Sequence, residues 1–132
     1  MASLDMDGPY ALTVKEITRK IKVAGPGNFA LGRMTRDKKF IVRFVGRDDA
    51  DIRQALIDSL GRESKRGLLG RFLGGEADND CFKFSYAQDA SAAFEKHCRT
   101  YHAFNSNNKL ANERHPKAPK GSNLKCPVCG ES

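Results

Sequence analysis

Two short apolar segments, separated by five polar residues, constrain this chain most. Asn28-Phe29-Ala30-Leu31-Gly32-Arg33-Met34 and Phe40-Ile41-Val42-Arg43-Phe44-Val45-Gly46 each have the length of a strand. The second is rich in β-branched and aromatic side chains. Thr35-Arg36-Asp37-Lys38-Lys39 between them is short, polar and charged, so the pair is predicted to fold back as a β-hairpin. A third strand is predicted at Cys81-Phe82-Lys83-Phe84-Ser85-Tyr86-Ala87. There Phe82, Phe84 and Tyr86 alternate strictly with Cys81, Lys83 and Ser85.

Helices are expected around these strands. Residues 1–9 read as a polar tail. Leu12, Ile17 and Ile21 share one face of a helix over Leu12–Ile21, with Thr13 as its cap. Ala24-Gly25-Pro26-Gly27 breaks it. Asp48-Asp49-Ala50-Asp51 supplies N-cap and acidic first-turn residues for a second helix. Ile52, Ala55, Leu56, Ser59 and Leu60 fall on one face of it, and Gly61 is its expected stop. Asp89 caps a third helix over Ala90–Phe104. These readings predict an α+β domain: a three-stranded antiparallel sheet flanked by helices, over residues 25–132. A tail and helix precede it at 1–24. A basic, glycine-punctuated insertion at 62–75 and an irregular tail at 105–132 belong to it. Leu68, Leu69, Phe72 and Leu73 in the insertion are read as a short helix.

Charge narrows the partners. Lys+Arg number 23 against 16 Asp+Glu in 132 residues, a formal net charge of +7. Such an excess favours an anionic partner. Basic residues decorate the hairpin (Arg33, Arg36, Lys38, Lys39, Arg43, Arg47). Arg62, Lys65, Arg66 and Arg71 crowd the insertion and are the expected phosphate contacts, without sequence readout. No apolar run approaches the roughly 18 residues of a membrane span, so no membrane role is expected. The start MASLDMDGPYAL has no apolar signal core, which predicts a cytoplasmic, reducing location. Four cysteines there point to metal or free thiol rather than disulfides.

Cys126-x-x-Cys129 places two thiolates on one tight turn, a zinc-knuckle spacing. Cys98 and His102, at i and i+4 on the last helix, project to one side and complete an expected structural Zn²⁺ site. His115 is the reserve ligand, and Cys98 reads equally well as a small buried residue in register with Phe94 and Tyr101.

The order of elements carries a resemblance. Gly27-Asn28-Phe29-Ala30-Leu31 and Phe44-Val45-Gly46 resemble the two halves of the GIY-YIG nuclease signature. Ala93-Phe94-Glu95-Lys96 resembles the helix that supplies this superfamily's metal-binding glutamate. Asn112-Glu113-Arg114-His115-Pro116, Gly121-Ser122-Asn123 and Cys126-Pro127-Val128-Cys129 resemble one small bacterial branch of it, with a CPxC tail. The resemblance spans roughly residues 25–130. It implies an endonuclease that hydrolyses nucleic-acid phosphodiesters with Mg²⁺ or Mn²⁺, DNA being favoured over RNA.

That chemistry needs an oriented base or hydroxyl, a cation for the developing phosphorane charge and a carboxylate for the metal. The family supplies two tyrosines, a helix arginine and a glutamate. Here Phe29 and Phe44 stand at the tyrosine positions. Ala55 stands at the arginine position in the register of Ile52 and Leu56, with Arg53 offered by a two-residue shift. Glu95 is the expected Mg²⁺ ligand and Arg47 the nearby cation. The implied activity is therefore a nuclease that is silent in this chain. The alternative is a non-catalytic module that binds nucleic acid, or a protein partner or inhibitor.

Overall fold

The computed structural model describes residues 4–61, 80–105, 110, 112 and 115–131. The elements run β1 (Asp7–Ala11), α1 (Val14–Lys20), β2 (Gly27–Met34), β3 (Phe40–Asp48), α2 (residues 52–61), β4 (Cys81–Tyr86) and α3 (Ala90–Phe104). The class is α+β, as expected, but the antiparallel sheet has four strands rather than three, in the order β1-β4-β2-β3. The added strand, β1, begins in the segment read as a polar tail and runs two residues past it, to Ala11. Gly8 and Pro9 are poor strand formers, and within sheets proline is confined to edge strands and bulges. β1 is such an edge, with its register interrupted between Asp7 and Tyr10.

The hairpin forms as predicted, from Gly27 opposite Asp48 to Met34 opposite Phe40. Its register slips once: Leu31 faces Phe44 and Gly32 faces Val42, leaving Arg43 as the extra residue of a bulge. Below the bulge, Phe44 joins Phe29 on one face of the sheet. Above it, Phe40 and Val42 lie on the opposite face with Val45 and Ala30.

Each face has its own cover. On one, Ile17 and Ile21 from α1 and Ile52 and Leu56 from α2 pack on Phe29, Leu31, Phe82 and Phe84. All four aliphatic side chains are fully buried. On the other, α3 lies against β2 and β3. There Asn28 Nδ2 donates to the Ala93 carbonyl at 2.8 Å, and Phe94 and Cys98 pack on Cys126, Ala118 and Leu124 from the tail. Tyr86, on the same strand face as the buried Phe82 and Phe84, stands apart from them. It is half exposed, its hydroxyl donating to the Val23 carbonyl at 2.8 Å.

The predicted caps are in place. Thr13 accepts from the Glu16 amide at 3.1 Å, and Asp89 from the Ala92 amide at 2.8 Å. Asp51 accepts from the Gln54 amide at 3.1 Å, while Asp48 turns the preceding loop through the Ala50 and Asp51 amides. The insertion residues 62–75, with Arg62, Lys65, Arg66, Arg71 and the short helix expected there, lie outside the described residues. No helix among the described residues is long and apolar enough to cross a membrane.

Candidate metal centre and candidate active-site cleft

His102, His115, Cys126 and Cys129 converge so that their ligand atoms all lie within 4.8 Å of one another. His102 comes from the last turn of α3, and the other three from the tail. His115 Nε2 lies 3.1 Å from His102 Nε2 and 3.3 Å from Cys129 Sγ. Tetrahedral zinc with bonds of about 2.0–2.3 Å sets ligand–ligand separations of about 3.3–3.8 Å, close to these two. The Pro116 carbonyl, 2.7 Å from His115 Nδ1, can only accept. That bond puts the proton on Nδ1 and leaves the Nε2 lone pair pointing into the cluster, the arrangement a ligating imidazole needs.

The thiols are tuned by the turn that carries them. Gly130 N donates to the Cys126 carbonyl at 2.9 Å, with Gly130 at φ +82°, closing the turn. Burial alone would raise the Cys126 thiol. The backbone N–H groups of Cys129 and Val128, then His115 and Cys98, outweigh it and bring Cys126 down to about 5. Cys129 moves the other way: the Glu131 backbone favours its thiolate, but desolvation and the neighbouring Cys126 sulfur keep it protonated longer. The pair thus gives up one proton readily and resists the second until a cation arrives. The donor set fits a thiophilic ion such as zinc.

The expected set is corrected at one position, where His115 takes the place of Cys98. Cys98 is fully buried against Phe94. Burial, and then the Cys126 sulfur, raises its thiol to about 12, so it stays protonated and donates to Cys126. It supports a ligand and is not one.

The second site is a cleft of about 300 Å³ that wraps around the outer edge of β3. Phe29, Phe44, Gly46 and Ala55 meet there with Arg47 and His97. The two phenyl rings are stacked, with centroids 6.2 Å apart and planes at 27°. Gly46 sits directly under the Phe29 ring: a Cβ there would fall 2.5 Å from Phe29 Cζ. The register of Ile52 and Leu56 holds, so it is Ala55 that reaches the cleft. Arg53 does not; its Nη1 donates to the Lys22 carbonyl at 3.3 Å.

Glu95 does not reach the cleft either. Its side chain is 46% exposed and meets Arg99 at 4.0 Å. The α3 residue that lines the cleft is His97, two positions on and so about 200° further round the helix. Only three-dimensional placement separates these neighbours, since both follow Phe94 closely.

Arg47, only 11% exposed, is fully committed. Nε donates to Asp49 at 2.8 Å, Nη1 to His97 Nδ1 at 3.1 Å and Nη2 to the Lys117 carbonyl at 2.5 Å. Its guanidinium lies 5.1 Å from the Phe94 ring centre. His97 Nε2 faces the Val45 carbonyl at 3.3 Å. Burial, and then the Arg47 charge, lower its pKa to about 4, so the imidazole is neutral.

Mg²⁺ or Mn²⁺ does not fit this cleft as its side chains stand. Phenyl groups neither donate nor accept. Of the cleft's two carboxylates, Asp48 caps a loop and Asp58 accepts from Gln54 Nε2 at 3.0 Å, while Arg47 is occupied and His97 is held by Arg47 and Val45. Among the described residues, the cluster of three or more potential metal ligands is the His/Cys one. No family model, no curated protein and no solved structure matches the chain.

Proposed function

We propose that this chain is a nucleic-acid phosphodiesterase domain of GIY-YIG type whose present side chains leave it unable to cleave. The observation that carries this reading is the convergence of Phe29, Phe44, Gly46 and Ala55 from β2, β3 and α2 on one cleft. Those are the positions at which the resemblance places the two aromatics, the glycine and the arginine. The cleft holds a phenyl ring where a hydroxyl is needed, a methyl group where a cation is needed and a neutral imidazole where α3 would offer a carboxylate. The domain retains the scaffold without the groups that move protons and neutralise charge.

The test is cleavage of plasmid DNA, and then of RNA, with Mg²⁺ or Mn²⁺ and with EDTA. The unmodified chain is expected to leave both intact. The combined variant Phe29→Tyr, Phe44→Tyr, Ala55→Arg, His97→Glu is expected to cleave in a metal-dependent way. Robust cleavage by the unmodified chain would reject this site. A folded combined variant that binds nucleic acid without cutting it would favour the second reading.

That second reading is a non-catalytic nucleic-acid-binding module. It is favoured by Arg36, Lys38, Lys39 and Arg43, all exposed at the hairpin end and on β3. In both readings the His/Cys cluster holds a structural Zn²⁺, which closes four ligands and leaves no open position for catalysis.

A further inference from the structure

The tail reaches the cleft as well as the metal centre. Asn112 behaves as a strand partner for the open edge of β3: its Oδ1 accepts from the Val45 amide at 3.0 Å and its Nδ2 donates to the Val45 carbonyl at 2.7 Å. Lys117 supplies the carbonyl that receives Arg47. His115, a ligand, lies between Asn112 and Lys117 in the chain.

Upstream of Asn112, Leu110 is buried in one cluster with Leu4, Ala30 and Val45; beyond it, little fastens residues 115–131. Among the described residues, the backbone–backbone hydrogen bonds of 115–131 are local: Ser122 to Pro119, Gly130 to Cys126 and Cys126 to Glu131. None joins the tail to the sheet. Its apolar anchors on α3 are small: Ala118, Leu124 and Cys126 against Phe94 and Cys98. A polar segment with so little apolar surface does not order itself against its conformational entropy. An ion that binds only the assembled ligand set shifts that balance by mass action.

We propose that the metal centre builds one wall of the cleft: ion binding by His102 on α3 and by His115, Cys126 and Cys129 lays the tail along β3. The ion thereby delivers Asn112 to Val45 and the Lys117 carbonyl to Arg47. The centre is then a positioning device for the cleft as well as a staple for the tail. The proposal rests on the cluster being a metal site.

Hydrogen exchange on the full chain tests it, with zinc content measured in parallel. Stripping the zinc-loaded protein with a chelator should speed exchange of the Val45 amide by about tenfold or more. The β2 amides paired with β4 should keep their protection, and added Zn²⁺ should restore Val45. Asn112→Ala should speed Val45 exchange with zinc content unchanged. Loss of zinc with Val45 still protected would overturn the proposal, as would a uniform loss of protection across the sheet. Failure of the protein to take up zinc at all would instead overturn the metal centre beneath it.

Discussion

His102 and His115 face each other Nε2 to Nε2 at 3.1 Å. Because His115 carries its proton on Nδ1 toward Pro116, this contact needs either a proton supplied by His102 or a cation between the two rings. Beside them, Cys126 already favours its thiolate. Two nitrogens and two sulfurs thus present more lone pairs than protons to one small space. A divalent ion would satisfy all four at once, their ligand atoms lying within 4.8 Å of one another.

The metal prediction follows from that donor set. Protein purified without added metal should contain about one zinc per chain. His115→Ala and Cys126→Ser should lose it, and Cys98→Ala should keep it, as read by elemental analysis. Affinity should rise with pH through neutrality, because Cys129, with its raised pKa, must still release its proton on binding. Zinc retained by His115→Ala but lost by Cys98→Ala would restore the ligand set expected from spacing alone.

His97 gives a pH dependence of stability. In the unfolded chain it titrates near its ordinary value of 6.5, and in the fold near 4. Between those values the unfolded chain binds more protons, so stability is full above about pH 6.5 and declines as pH falls toward 4. The window corresponds to roughly 3 kcal/mol at the 1.36 kcal/mol that each pKa unit represents. Urea unfolding at several pH values should show this slope. His97→Gln, which has no titrating ring, should flatten it in that window. An unchanged slope in the variant would remove His97 as its source.

Strands β2, β3 and β4, the three helices and their caps were legible because each rests on local rules: period-two alternation, a 3.6-residue face, an acidic or hydroxyl cap. β1 was not, because Gly8 and Pro9 are poor strand formers and only its pairing with β4 makes it a strand. Three of the four residues of the candidate metal cluster were legible from spacing. The fourth turned on whether burial or ligation claims Cys98, a question of packing against Phe94 that spacing does not contain. The same holds on α3, where Glu95 has the expected chemistry and His97 has the expected place.

Gly46 is required by the ring above it. Gly46→Ala would push a methyl group into Phe29, whose ring is held by Phe44 and the buried core. Overpacking of this kind costs about 1–3 kcal/mol. In a Phe29→Leu background the same substitution should cost clearly less, since the shorter side chain vacates the contested space. Thermal or urea unfolding of the four proteins closes the cycle. Equal costs in both backgrounds would show that Phe29 is not what excludes a side chain at position 46.

The exposed hairpin charges predict how binding responds to salt. Arg36, Lys38, Lys39 and Arg43 are exposed, and the chain carries a net +7. Contacts of this kind release counterions from a phosphate backbone, so affinity for duplex DNA should fall steeply as salt rises, by about 0.9 in log–log slope per phosphate neutralised. Replacing Lys38 and Lys39 with Gln should weaken binding alike across sequences and lower the slope by at most about 2. The cleft should be untouched, since neither lysine lines it. Fluorescence anisotropy over a salt series measures both quantities. A slope unchanged in the double variant would move the phosphate path away from the hairpin, and no binding at low salt would turn the search toward a protein partner.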